Sequence, residues 1–150
     1  MARSPIVTAT LVSGVLDTAF PMTMTAMRDG DPIAMWNGVA AGPFGDGAQD
    51  WGMAGSLAGL LVHFALMGLM AAGLAALLKL PAVARLNWVV LGLVYGVVTY
   101  LVMYGVVLPL RFGAPFPQTD PVRIATALFA HIVLVGLVMA WIFKRTPARA

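Results

Sequence analysis

Four apolar runs, each long enough to cross a bilayer, constrain this chain more than any other feature. They extend over Ile6 to Met27, Met53 to Leu80, Leu86 to Leu110 and Val122 to Phe143. A hydrocarbon core takes about 20 helical residues. Backbone that is unpaired in lipid is costly, so each run is expected as a helix. The chain has 150 residues, 61% of them hydrophobic and 10% charged. A soluble domain of that size could not hide so much apolar surface. The fold class is therefore an all-α integral membrane protein: one domain over residues 1–150, built as a four-transmembrane-helix bundle in contact with the lipid bilayer.

The connectors refine that picture. Those after the second and third runs are short and carry proline, at Pro81, Pro115 and Pro117. Short connectors imply antiparallel neighbours. Pro109 is expected to end the third helix, and Pro21 to kink the first. The long connector, Arg28 to Gly52, contains Asp31-Pro32-Ile33-Ala34-Met35-Trp36-Asn37-Gly38. A capping residue followed by proline in a first turn predicts a short helix. Trp36, Phe44 and Trp51 suit the headgroup region, so this helix is expected to be interfacial. A glycine-rich turn, Gly42 to Gly47, should follow. That turn lacks the Gly-Lys-Ser/Thr ending of a phosphate loop. The amino terminus resembles a secretory signal, but Asp17 interrupts its apolar run and no small-x-small site follows, so it is expected to be retained.

Charge sets an expected orientation. One side collects Arg3, Lys79, Arg85, Lys144, Arg145 and Arg149; the other has Arg28, Arg111 and Arg123. Six basic residues against three predict both termini in the cytoplasm. All acidic residues except Asp17 then lie outside. The basic residues scatter at helix ends, which argues against a nucleic-acid partner despite the net charge of +3. The chain has no cysteine, which excludes disulfides, thiolate metal sites and a cysteine nucleophile.

Ionisable groups inside the apolar runs mark function by default. His63 and His131 are the only two histidines, and each stands in a His-x-x-x-x-Gly-Leu pattern. The first and third runs share Leu-Val-x-Gly-Val, at Leu11 to Val15 and Leu93 to Val97. The halves thus read as two repeated helix pairs related by an axis along the membrane normal. At about 1.5 Å per residue, Asp17, His63, Tyr100 and His131 share one depth, with Tyr104 one turn further out. Gly96, Tyr100 and Tyr104 fall on one helical face, continued by Arg111, which is expected to gate the site outward.

Several chemistries fit such a set. Two facing histidines could ligate haem b, with Arg111 and Arg123 meeting the propionates. His63, His131 and Asp17 form a two-histidine, one-carboxylate set for a divalent metal such as Zn or Fe. Asp, His and Tyr also make a proton relay. A fourth reading has the polar groups only pinning the bundle together. No serine sits in a nucleophile elbow and there is no glutamate, so an enzyme is the weaker expectation. Gly55-x-x-x-Gly59, Gly92-x-x-x-Gly96 and Ala72-x-x-x-Ala76 are read as helix contacts. The methionines at 22, 24, 27, 35 and 53 cluster toward the outer face; they are read as packing or lipid-facing residues before a copper site.

Taken together, Ser13-Gly14-Val15-Leu16-Asp17, His63-Phe64, Tyr95 to Met103, Val106 to Leu110 and His131 with Val135-Gly136-Leu137 resemble a family of small uncharacterised bacterial four-helix inner-membrane proteins. The resemblance extends over most of the chain, including Trp36 to Gly42. It implies four membrane helices and a bacterial inner membrane, and it implies no activity. The functional expectation is a small inner-membrane protein whose buried site binds a small ligand, haem or metal, or relays protons. The rival expectation is a structural or accessory subunit, in a homo-oligomer or a larger membrane complex.

Overall fold

The computed structural model describes residues 4–146. Arg3 and Arg149, counted in the charge balance, lie outside them. The described chain is all-helical. It comprises α1 (Pro5–Ala26), α2 (Pro32–Phe44), α3 (Gly52–Leu77), α4 (Trp88–Phe112) and α5 (Pro121–Arg145). All but α2 are long and apolar enough to cross a membrane, which fits a multi-pass membrane protein.

Local chemistry sets the helix ends. Asp31 Oδ1 accepts the Ile33 N–H at 2.8 Å, and Pro32 occupies the first turn of α2, as the sequence predicts. Asn87 Oδ1 accepts the Val90 N–H at 2.9 Å, so α4 starts at Trp88 rather than Leu86. Asp120 accepts from the Val122 and Arg123 N–H groups ahead of α5. These caps replace partners that a first turn lacks.

Three expectations fail locally. α2 runs through Gly42 and Pro43 to Phe44, so the glycine-rich turn is largely helical and passes into a tight helical turn, Asp46–Asp50. Pro109 does not end α4. The segment before it, Met103–Val107, winds as a wider π-helix, and α4 stops only at Gly113, whose φ is 63°. Proline lacks an N–H and crowds the residue four before it, and a widened turn makes room for both. Ala72 and Ala76 are exposed, whereas Ala71 and Leu74 are buried, so the packing face of α3 lies one position from the small-residue pattern.

The most extensively packed helix pairs are α2 with α3 and α4 with α5, followed by α1 with α3, with α1 also packed on the latter part of α5. α3 and α4 have a short connector but are not among the closely packed pairs. Glycines permit the close approaches. A Cβ on Gly96 would sit 2.5 Å from Ile132 Cα, and one on Gly136 would strike the Gly92 carbonyl. Near the terminal end, Ala9, Met67, Leu74, Tyr95, Val135 and Met139 belong to one apolar core. Tyr95 ties α4 to α3 there, its hydroxyl donating to the Met70 carbonyl at 2.6 Å.

Toward the other end, α1 and α5 diverge. α1 packs against Ala130–Arg145, whereas Pro121–Phe129 is not closely packed on it. A tilted ring contact between Phe20 and Phe129, 5.2 Å between centroids, reaches across the gap. α2 fills the opposite flank, lying along the first half of α3. There Gly59 leaves no room for a Cβ beneath the Trp36 carbonyl.

Candidate functional site

The gap between α1 and α5 is a cavity of about 260 Å³. Five α1 residues line it, Asp17, Phe20, Pro21, Met24 and Thr25, with Arg28 just past the end of the helix. Their spacing of three and four is that of one helical face. α5 contributes Thr126, Ala127, Ala130 and His131, and α4 contributes Tyr104. The cavity runs from Arg28 near the end of α1 to Asp17 deep in the helix, about 16 Å by helical rise. Pro21 has no N–H to give the Asp17 carbonyl, so the helix backbone is opened at the same level.

His131 sits within a second π-helical segment, Ala130–Leu137. Such widened turns occur often at functional sites. Its Nδ1–H donates to the Ala127 carbonyl at 2.9 Å. A carbonyl only accepts, so in the neutral ring Nε2 is left as an acceptor. Tyr100 and Tyr104 stack with centroids 4.9 Å apart, and both present their rings edge-on to His131, at 6.0 and 5.7 Å. Tyr104 lines the cavity, and Tyr100 stands behind it, 7% exposed.

His63 lies on the far side of Asp17. Its Nε2–H donates to the Gly14 carbonyl at 3.2 Å, and the same nitrogen is 3.9 Å from Asp17 Oδ2. Trp36 and Phe64 meet its ring edge-on at 5.4 and 5.5 Å. His63 is thus enclosed by α1, α2 and α3 and is not part of the cavity wall. Among the described residues, no donor hydrogen-bonds to the Asp17 carboxylate. Ser13, one turn earlier on α1, is fully buried, and its Oγ has no hydrogen-bond partner among the described residues.

Arg111 is placed elsewhere. Its Nε donates to the Gly42 carbonyl at 2.8 Å, and its Nη2 donates to the Ala41 carbonyl at 2.6 Å and to Asp46 Oδ1 at 2.8 Å. The guanidinium is consumed by the carboxyl-terminal end of α2 and does not line the cavity, so it is a clamp and not a gate. The cation at the rim is Arg28, with Phe20 and Met24 on the walls. None of these three is among the site residues expected from the sequence, although their offsets of 3, 7 and 11 from Asp17 are a same-face signal.

The ligand-set readings meet the geometry directly. Among the described residues, no group of three or more His, Asp or Glu side chains is gathered so as to hold a metal ion. Bis-histidine haem ligation needs both imidazoles facing one cavity, and here only His131 does so. A cavity of roughly 150 Å³ accepts a benzene ring, so about 260 Å³ suits a substituted ring and not a porphyrin. A transmembrane relay would have to pass the apolar core below His63, where Met67, Leu74 and Val135 are packed.

Compared with protein-family models, curated proteins and solved structures, the chain matches none.

Proposed function

We propose that this chain is a small bacterial inner-membrane protein that binds a small organic ligand in the α1–α5 crevice. One observation carries the reading: Asp17, Tyr104 and His131, from three different helices, converge on a single cavity of about 260 Å³. Intramembrane ionisable groups are expensive and tend to be retained where they meet a ligand or ion. Their neighbours His63 and Tyr100 stand behind them and fix their positions. The crevice opens toward the side opposite the termini, which the charge balance assigns to the periplasm.

The same reading takes the site as the product of a repeated helix pair. Support comes from two matching contacts. Gly14 of α1 lies against Phe64, the residue after His63, and Gly96 of α4 lies against Ile132, the residue after His131. The copies have diverged at the acid: position 17 of the first aligns with Thr99 of the second, which donates to its own helix at Gly96. Only one half then keeps a carboxylate. α2 is assigned to the interface, where Trp51 and Phe44 are exposed beside it.

The chain's lack of cysteine makes the test direct. Ala130→Cys should react with a membrane-impermeant maleimide added from the periplasmic side. Ala140→Cys, fully buried in the apolar core, should stay unlabelled. If Ala130→Cys is also unlabelled in folded protein, the crevice is closed and the polar residues only pin the helices.

A further inference from the structure

We infer that the ligand of this crevice is a small aromatic or aliphatic ammonium ion, its cationic head held at Asp17. The inference rests on the crevice being a ligand site and goes on to name the chemistry that site selects. Two of the three polar groups that converge on the crevice, Asp17 and His131, offer acceptors, and the third, the Tyr104 hydroxyl, can accept as well as donate. The Asp17 side chain is 16% exposed and has no hydrogen-bond donor among the described residues. His63 approaches it at 3.9 Å, but the imidazole spends its Nε2–H on the Gly14 carbonyl. His131 spends its Nδ1–H on Ala127, so what it has left for a ligand is an acceptor lone pair.

A carboxylate in a low-dielectric site is costly without a counter-charge and donors. A primary ammonium supplies both, with three N–H groups on one positive centre. Charge-assisted bonds of this kind are the strong ones. The walls suit the rest of such a molecule. Phe20 and Tyr104 add aromatic rings to the lining, a class of side chain that attracts cations, and Met24 and Ala127 provide apolar packing. The volume, about 260 Å³, holds a benzene ring with a short chain, since a bare ring takes roughly 150 Å³. Arg28 does not oppose this. It stands about 16 Å along the helix from Asp17, at the exposed rim, where water and salt screen it.

The test uses three probes of one shape on the purified full chain in lipid nanodiscs: 2-phenylethylammonium, 2-phenylethanol and 3-phenylpropionate, with binding read by calorimetry. The ammonium should bind roughly tenfold or more tightly than the alcohol, and the propionate should bind worst. Asp17→Asn should abolish the difference between ammonium and alcohol. Ala130→Phe, which fills the cavity and leaves Asp17 in place, should abolish binding of both. Equal affinity for ammonium and alcohol in the wild type overturns the inference, as does a preference for the propionate, absence of binding by all three, or an ammonium preference that survives Asp17→Asn. Should Asp17→Asn fail to fold, the wild-type selectivity and Ala130→Phe still decide. Maleimide labelling at Ala130→Cys without ammonium preference removes this inference and leaves the crevice reading standing; absence of labelling removes both.

Discussion

At the scale of single residues, helix contact here depends more on missing side chains than on hydrogen bonds. The bond from Tyr95 to the Met70 carbonyl is short, at 2.6 Å. Interhelical hydrogen bonds in membranes are nonetheless worth only about 0.6 kcal/mol on average. The Met70 carbonyl also lies within α3 and has helical partners to fall back on. Tyr95→Phe should therefore cost about 0.5–1 kcal/mol in a detergent-unfolding titration. Gly96→Leu should cost more, about 1–3 kcal/mol, because its Cβ would sit 2.5 Å from Ile132 Cα and 2.6 Å from the His131 carbonyl. A Tyr95→Phe loss as large as that of Gly96→Leu would show that the hydrogen bond governs the contact. The residues of the candidate site were partly legible for a related reason. Depth along a helix is fixed by counting, so Asp17, His63, Tyr100 and His131 could be set at one level from sequence. Rotation about the helix axis is fixed by packing. That rotation turns His63 toward Gly14 and Trp36, away from the cavity that His131 lines, and no local pattern records it.

At the scale of elements, the spanning helices were legible because hydropathy over a 20-residue window averages out local exceptions. The exceptions themselves were not. The two π-helical segments depend on how Pro109 and His131 are accommodated by neighbouring helices. The extent of α2 depends on a residue far along the chain. Arg111 holds the Ala41 and Gly42 carbonyls, which are among the last of α2; the Ala41 carbonyl also accepts the Gly45 N–H, at 3.1 Å. A cation there also opposes the negative end of the helix dipole. Its third contact, to Asp46, is an ion pair whose acid is 78% exposed, and exposed pairs contribute little. Arg111→Ala should therefore speed amide exchange over the latter half of α2 and the Asp46–Asp50 turn, leaving α1 and α5 protected. Asp46→Ala should leave exchange in α2 almost unchanged. If the two variants behave alike, the ion pair and not the carbonyl clamp holds α2.

At the scale of the whole molecule, the bundle is closed at one end and open at the other. The terminal end is packed shut by Leu74, Val135 and Met139, all under 2% exposed. The end carrying α2 holds the crevice, so the side of the membrane from which the proposed ligand would enter follows from orientation alone. Charge argues one way: among the described residues four cations, Lys79, Arg85, Lys144 and Arg145, flank the closed end and three, Arg28, Arg111 and Arg123, the open end. The rule counts Lys and Arg near span ends, and the acidic residues of the long connector carry little weight in it. Lys144 Nζ donates to the Ala84 carbonyl at 2.6 Å and ties α5 to the basic connector between α3 and α4. A carboxyl-terminal green fluorescent protein fusion should accordingly fluoresce, and an alkaline phosphatase fusion at the same point should be inactive. Phosphatase inserted at Gly47, in the exposed turn after α2, should be active. The reverse pattern would turn the crevice toward the cytoplasm, and cytosolic rather than periplasmic solutes would then reach Asp17.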